Sequence, residues 1–284
     1  MILAAGDHRL TLAPTVGGSI AAWTWRDRAI LRPSLANASD PLAMACFPLV
    51  PFSNRVRDGR FTFAGEEVAL PPNMGDHPHA IHGDGWRAAW EVVEHDAHSA
   101  TLAYDHAPAA WPWAYAARLT YALDAGGLTV TLAVTNRDGR RMPAGLGLHP
   151  YFVRHPDTRL AAPTSGWWDH DPDIMPTGFV PEPADDLTPW LLSGDLVDHV
   201  FAGGDPAVLS GGGSRVTLSA PTPCLVVYAP PGEAFLCVEP VTHPTDALND
   251  PALPGIVVLD PDETAKLTVR LDISSENRPI EHPG

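Results

Sequence analysis

Proline and glycine interrupt this chain so often that long helices have no room to form. The 284 residues contain 31 Pro and 24 Gly, so a turn-forming residue falls at roughly every fifth position. Between them lie short runs in which apolar and polar residues alternate, the pattern of a strand with one buried face. The clearest runs are 117–123 and 128–135, which the turn 124–127 joins into a predicted hairpin. The sequence therefore predicts an all-β fold, a large antiparallel β-sandwich.

Nine further segments have the short length and the β-branched or aromatic content of strands. They are 10–12, 61–63, 90–94, 101–104, 216–219, 225–228, 235–238, 256–259 and 266–273. No repeat of fixed period and no clear linker divides them, so we expect a single domain over residues 1–284. The polar, proline-containing segment 274–284 is expected to fray.

The charge balance excludes two classes of partner. Lys and Arg number 18 against 34 Asp and Glu, a formal charge of −16, which repels nucleic-acid phosphates and anionic membranes. No secretory signal begins the sequence, and no apolar run is long enough to span a bilayer. Cys46, Cys224 and Cys237 have no paired spacing and suit free thiols in a reducing compartment. We expect a cytoplasmic protein that binds neither nucleic acid nor membrane.

Two residues have the properties of a proton-transfer pair. His149 lies between a glycine-rich stretch and Pro150, which favours an extended backbone and an imidazole that points off a strand edge. Glu239 ends the apolar run 235–238, where burial would raise its pKa toward that of a useful general base. The alternatives are a buried histidine bonded to a carbonyl and a glutamate paired with an arginine. The context favours catalysis by both.

A histidine cluster raises the question of a metal. His77, His79 and His82 have a spacing that is common among metal ligands, but no carboxylate follows at a suitable distance, and Asp84 is too close to His82. We therefore predict no metal and no other cofactor. Hydrogen bonding of a substrate by His82, in a tight turn that Gly83 permits, is the preferred interpretation.

Three other residues are candidates for binding a polar substrate. The Arg55 guanidinium can donate paired hydrogen bonds to neighbouring hydroxyls, although a solvated surface position is the alternative. Asp198 can accept from hydroxyls or cap a turn. Trp86 offers an apolar face for the C–H surface of a sugar, or it packs in the core.

Five segments together resemble the aldose 1-epimerase (galactose mutarotase) family. They are Asn54-Arg55-Val56, the stretch from Asn73 to Gly83, His149-Pro150-Tyr151-Phe152, Asp198-His199-Val200-Phe201 and Cys237-Val238-Glu239-Pro240. Their order and approximate spacing match that family over nearly the whole chain. The resemblance implies a β-supersandwich fold and an isomerase that interconverts the α and β anomers of a free aldohexose without a cofactor.

The resemblance also implies a role for each candidate. Glu239 would remove the proton of the anomeric hydroxyl, and His149 would protonate the ring oxygen. Arg55, His82, Asp198, Asn73 and Trp86 would bind the substrate. The expected partner is a monosaccharide, and the expected assembly is a monomer or a weak homodimer.

Two alternative functions remain open from the sequence. A hexose-6-phosphate 1-epimerase of the same fold would need a cationic pocket, for which Arg57 and Arg87 are available. A non-catalytic sugar-binding or regulatory protein would need neither His149 nor Glu239. The chain also departs from the family where Asp84 separates Gly83 from Gly85, which affects loop shape and substrate preference more than the acid and base.

Overall fold

The computed structural model describes residues 1–276 of the chain, which form 25 strands. The first twelve are β1 Ile2–Ala5, β2 His8–Ala13, β3 Ser19–Trp25, β4 Arg28–Ala29, β5 Cys46–Leu49, β6 Arg55–Val56, β7 Arg60–Phe63, β8 Glu66–Ala69, β9 Ala80–Ile81, β10 Glu91–His95, β11 Ser99–His106 and β12 Tyr115–Leu123. The others are β13 Gly127–Asn136, β14 Met142–Ala144, β15 Gly147–Val153, β16 Arg159–His170, β17 Pro176–Val180, β18 Ala184–Asp186, β19 Val197–Gly203, β20 Ala207–Gly211, β21 Ser214–Ser219, β22 Cys224–Ala229, β23 Phe235–Val241, β24 Val257–Leu259 and β25 Thr264–Ser275.

In the described residues, helical structure is confined to short segments of one or two turns. The α-helix is Thr188–Leu192, and three 3-10 turns cover Pro41–Ala43, Arg57–Gly59 and Gly85–Arg87. Strands account for 53% of the residues and helices for 5%, which confirms the predicted all-β class. Within residues 1–276, no helix has the length and apolar character needed to cross a bilayer.

The predicted hairpin is present and lies in the middle of a large antiparallel sheet. β12 pairs with β13 so that Leu123 faces Leu128, and β13 pairs along its other edge with β25. Buried and more exposed residues alternate along both strands of the hairpin, as period-2 patterning requires. The nine other predicted segments also lie in or overlap strands.

The C-terminal strand extends further than expected. Ser274 and Ser275 were expected to fray, but they pair with Arg215 and Ser214 of β21. The pairing of β25 with β21 continues to this point because the backbone groups of β21 are available for hydrogen bonds as far as its first residue, Ser214. The rest of the expected tail, residues 277–284, lies outside the described residues.

Five adjacent strands form the part of the sheet that positions the site. β5 pairs with β15, β15 with β23, β23 with β22, and β22 with β19, all antiparallel. Because side chains alternate between faces, residues that pair directly across neighbouring strands point to the same side, as Val226 and Glu239 do. The opposite side belongs to the main hydrophobic core, which contains Leu148, Val227 and Val238.

A second, smaller apolar cluster lies on the site face of these strands. It contains Phe47, Val226 and Cys237 together with Ile81 and Trp86 from the covering loop. The three cysteines of the chain are free and buried. Side chains on this face are therefore held by packing on both sides.

Candidate active site

His149 and Glu239 meet on the site face of the five strands. His149 lies on β15 and Glu239 on the neighbouring β23, where Tyr151 pairs with Cys237 two residues along. The register therefore turns both side chains to the same face. The Nε2 atom of His149 lies 3.3 Å from the Oε1 atom of Glu239, and their side chains are only 9% and 4% exposed. Phe47 packs on the imidazole from one side at a centroid distance of 4.6 Å, and Tyr151 stacks on it at 4.7 Å.

Burial shifts the pKa of both groups toward their neutral forms. Desolvation raises the Glu239 pKa well above that of an ordinary glutamate, and the Asp198 charge raises it further. Desolvation lowers the His149 pKa to about 3, and the charges of Arg32 and Arg55 act in the same direction. Between these two shifted pKa values the pair is a carboxylic acid beside a neutral imidazole and holds one exchangeable proton.

A short loop pairing brings Arg55 and His82 to the same site. β6 pairs with β9 so that Arg55 faces Ile81. Asn54 and His82 both have positive φ, at 53° and 63°, and the Asn54 N–H donates to the Nδ1 atom of His82 over 3.1 Å. Burial lowers the His82 pKa well below its usual value. The neutral His82 ring therefore carries its proton on Nε2, where it can donate to a ligand.

The Arg55 guanidinium is fixed by an ion pair. Its Nη2 atom lies 3.3 Å from the Oδ2 atom of Asp198 on β19, and the two side chains are 10% and 12% exposed. The side-chain oxygen of Asn54 accepts from the Arg55 backbone N–H at 2.8 Å. These contacts fix the orientation of the Arg55 guanidinium, a donor, and of the Asp198 carboxylate, an acceptor. The charges of the two side chains cancel within the ion pair.

These groups line one cavity of about 310 Å³, at the lower end of the range of small-molecule sites. The lining residues are Arg32, Leu42, Asn54, Arg55, Met74, Ile81, His82, His149, Tyr151, Asp198, Val226, Tyr228, Phe235 and Glu239. Five of the seven residues expected from the sequence, Glu239, His149, Arg55, His82 and Asp198, are therefore brought together here.

Asn73 and Trp86 do not line this cavity, contrary to the expectation of direct substrate contact. The Asn73 amide accepts from the Ile81 N–H at 2.8 Å and donates to the carbonyls of Ile81 and Gly83. Trp86 is fully buried, donates to the Gly83 carbonyl at 3.1 Å and stacks on Phe47. Both side chains use their polar atoms to hold the loop that carries His82, so they support the site from behind.

Arg32 lines the cavity although nothing in the sequence indicated it, whereas two other arginines that the sequence offered for a cationic pocket lie elsewhere. The Arg32 guanidinium lies over the Tyr151 ring at 3.9 Å and lines the cavity. Arg57 instead pairs with Asp246, and Arg87 lies over the outer face of Trp86; neither lines the cavity. No local pattern around Arg32 signals its role, because long-range strand pairing places it beside Tyr151.

The predicted histidine cluster does not converge on a common point. The Nδ1 atoms of His77, His79 and His82 each accept a backbone N–H, from His79, Asp58 and Asn54 respectively. Among residues 1–276, the group that could hold a metal is His149, Cys237 and Glu239, whose ligand atoms lie within 4.8 Å of one another. Burial raises the pKa of the Cys237 thiol well above its usual value, so a cation would have to displace protons from sulfur and from Glu239.

Comparison with known proteins agrees with this geometry. The sequence profile of the aldose 1-epimerase family matches residues 2–272, so the chain belongs to the aldose 1-epimerase family. The uncharacterised protein YphB of Escherichia coli K12 is 33% identical over 273 residues, which cover 90% of this chain and 93% of YphB.

Two solved structures support the fold assignment. A protein of Escherichia coli K12, described as a candidate aldose 1-epimerase, has a TM-score of 0.88 at 30% identity and covers 97% of this chain and 98% of its own. A galactose mutarotase-like protein from Clostridium acetobutylicum has a TM-score of 0.84 at 21% identity over 97% of this chain and 95% of its own. The fold is thus that of galactose mutarotase-like proteins, and the family acts on small sugars as an epimerase.

Proposed function

We propose that this protein is an aldose 1-epimerase (mutarotase) that interconverts the α and β anomers of an aldohexose by general acid and base catalysis. The observation that carries the proposal is the 3.3 Å separation of His149 Nε2 and Glu239 Oε1 inside a cavity of monosaccharide size. A pair of this kind can take a proton from one substrate oxygen and give one to another.

The reaction follows from the single proton that the pair holds. In its reactive form, Glu239 is ionised and His149 is protonated. Glu239 takes the proton of the O1 hydroxyl while His149 donates to the ring oxygen O5, and the C1–O5 bond breaks to give the open-chain aldehyde. After rotation about C1–C2, O5 attacks the other face of C1, and both protons return.

The reactive form and the resting neutral pair contain the same number of protons. They interconvert when one proton moves between Glu239 and His149. Their separation is just beyond the usual hydrogen-bond range of about 2.7–3.2 Å, so a small side-chain shift is sufficient. Binding of a polar substrate replaces lost solvation and makes the charged form more accessible.

The other lining residues suit the hydroxyl groups of a sugar. Arg55 and His82 supply donors and Asp198 supplies an acceptor, each held in place by contacts within the protein. A purely sugar-binding protein would gain nothing from a buried carboxyl beside a buried imidazole, since each incurs a desolvation cost. This arrangement therefore favours catalysis over binding alone.

The proposal is tested by measuring anomer exchange directly. Magnetisation-transfer NMR on equilibrated glucose and galactose, with and without the purified protein, reports the exchange rate between the α and β anomers. We expect acceleration that is proportional to protein concentration. Exchange at the spontaneous rate for both sugars, and for their charged derivatives, would contradict the proposal.

A further inference from the structure

Arg32 is a cation of the cavity with no carboxylate partner. Its Nη2 atom donates to the backbone carbonyls of Leu42 and Met44 at 2.7 and 2.9 Å, which leaves its other nitrogen atoms without a protein acceptor. No ion pair involves it in the described part of the chain. Its guanidinium lies over the rings of Tyr151 and Phe235, at 3.9 and 4.7 Å from their centroids. These rings restrict the guanidinium to one place in the wall of the cavity.

Arg32 thus places a positive charge, unpaired among the described residues, in the cavity wall, although the protein is strongly negative. The charges of Arg55 and Asp198 cancel within their ion pair. Burial shifts the pKa of each remaining titratable group of the lining toward its neutral form: His82, His149, Tyr151, Tyr228 and Glu239. Within residues 1–276, the Arg32 guanidinium has only backbone carbonyls as hydrogen-bond partners, inside a molecule with a formal charge of −16. Such a local reversal of sign attracts an anionic group.

The position of Arg32 indicates where on a sugar that group would lie. If His149 protonates O5, as proposed above, the substituent on the adjacent carbon C5 leaves the ring beside this imidazole. The Tyr151 ring stacks on His149 at 4.7 Å, and Arg32 lies on Tyr151 at 3.9 Å. Two short steps thus lead from His149 to the guanidinium, and both Arg32 and His149 line the same cavity.

We propose that the substrate is an aldohexose whose C5 substituent carries a negative charge, as a phosphate ester or a carboxylate does, and that Arg32 binds this group. The inference rests on the proposed function for the orientation of the ring. An arginine suits the task because its planar donors match the oxygens of either group. Arg57 and Arg87, which the sequence offered for a phosphate, lie outside the cavity.

An anion at this position would also assist the acid. The Arg32 charge contributes, after desolvation, to the low pKa of His149. A bound phosphate or carboxylate offsets that charge and makes the protonated imidazole easier to form. The charged substituent therefore affects both binding and turnover, and a neutral sugar provides neither effect.

The test compares glucose 6-phosphate, glucuronic acid and glucose as ligands. Dissociation constants from ligand-observed NMR titrations give an affinity ratio of each anionic sugar to glucose, for the parent and for three variants. Arg32→Gln removes the charge and keeps a polar, hydrogen-bonding side chain. Arg32→Lys keeps the charge. Arg154→Gln is the matched control, because Arg154 is likewise half-buried and bonded to the backbone carbonyls of Pro230 and Leu191 but lines no part of the cavity.

We expect the parent to bind at least one anionic sugar about 10- to 100-fold more tightly than glucose, the range of a hydrogen bond to a charged group. The ratio should fall toward one in Arg32→Gln, remain well above one in Arg32→Lys, and be unchanged in Arg154→Gln. In the parent, the affinity ratio should also decrease as salt is added, because dissolved ions screen a contact between charges that solvent reaches. Equal affinities in the parent, or a preference that survives Arg32→Gln, would overturn the inference.

Binding and turnover together separate this inference from the proposed function. Interconversion of glucose with no preference for charge would leave the epimerase activity standing and remove the role of Arg32. An Arg32-dependent preference for an anionic sugar without any anomer exchange would support the role of Arg32 and contradict the proposed epimerase activity.

Discussion

His149 Nε2 and Glu239 Oε1 lie 3.3 Å apart, on adjacent strands and with both side chains almost entirely buried. Desolvation raises the Glu239 pKa and lowers the His149 pKa, so the two groups hold a single proton in the pH range between these values. A pair that holds one proton suits the proposed reaction, because one group can accept a proton from one substrate oxygen while the other donates a proton to another oxygen.

The pH profile of activity should be a broad plateau. The acid limb marks uptake of a second proton by the pair, and the His149 pKa of about 3 places this limb well below the ordinary imidazole value of about 6.5. The alkaline limb marks loss of the one proton, and the raised Glu239 pKa places it well above an ordinary carboxyl value of about 4.3. Rates of anomer exchange measured across this range test the prediction. A steep loss of activity as the pH falls through about 6.5, where an ordinary imidazole takes up a proton, would contradict it.

Replacement of Glu239 by Gln should stabilise the protein increasingly as the pH rises. A carboxyl whose folded pKa is raised contributes no penalty below its unfolded value of about 4.3, and it then destabilises by up to about 1.36 kcal/mol per pH unit until the folded pKa is passed. Gln, which does not ionise, avoids this penalty. Urea unfolding of parent and variant at several pH values measures the difference. A difference in the free energy of unfolding that is independent of pH would show that Glu239 is not perturbed.

Asn73→Ala should weaken substrate binding although Asn73 does not line the cavity. The substitution leaves the N–H and the carbonyl of Ile81 without their partners, at a cost of about 1–3 kcal/mol for each group that stays buried, and it loosens the loop that carries His82. We expect KM to rise more than kcat falls. Steady-state kinetics with chemical unfolding as a parallel measurement would decide this, and unchanged KM in a destabilised variant would exclude the positioning role.

Activity should survive metal chelation. The proposed proton transfers need no Lewis acid, and the Cys237 thiol, which adjoins His149 and Glu239, is held in its protonated form by burial. The exchange rate after dialysis against EDTA should equal that of untreated protein. Loss of activity in EDTA that zinc or manganese restores would identify the His149, Cys237 and Glu239 group as a metal site.

Local patterning predicted the hairpin and the all-β class because one-sided burial leaves a period of two in the sequence. It missed β16, a 12-residue strand that contains Pro163 and Gly166. Residues 159–161 of β16 pair with β20 and residues 164–168 pair with β19, so Pro163 lies where the strand changes partner. The missing N–H therefore removes no bond from either ladder, which sequence alone does not reveal.

His149 and Glu239 were identifiable as candidates because His149 lies between a glycine-rich stretch and Pro150, and because Glu239 ends an apolar run, where burial of a carboxyl without purpose is costly. Arg32 has no such signal, since its neighbours Leu31 and Pro33 are typical of any surface turn, and its backbone N–H reaches the Tyr151 carbonyl at 2.7 Å only in the folded chain. Trp86 and Asn73 illustrate the opposite error. Proximity in sequence to His82 indicated the right loop, but not the face of that loop on which each side chain lies.

Glu239→Gln tests the central claim most directly. Gln preserves shape and a hydrogen-bonding oxygen but accepts no proton, so kcat for anomer exchange should fall by about 10²- to 10⁴-fold, which corresponds to roughly 2.7 to 5.4 kcal/mol of barrier. Substrate affinity should change far less, since Arg55, His82 and Asp198 remain. The exposed Glu233→Gln, six residues away, is the matched control and should equal the parent. A Glu239→Gln protein that retains kcat within a factor of about three of the parent would contradict the account, because so small a change is below about 1 kcal/mol.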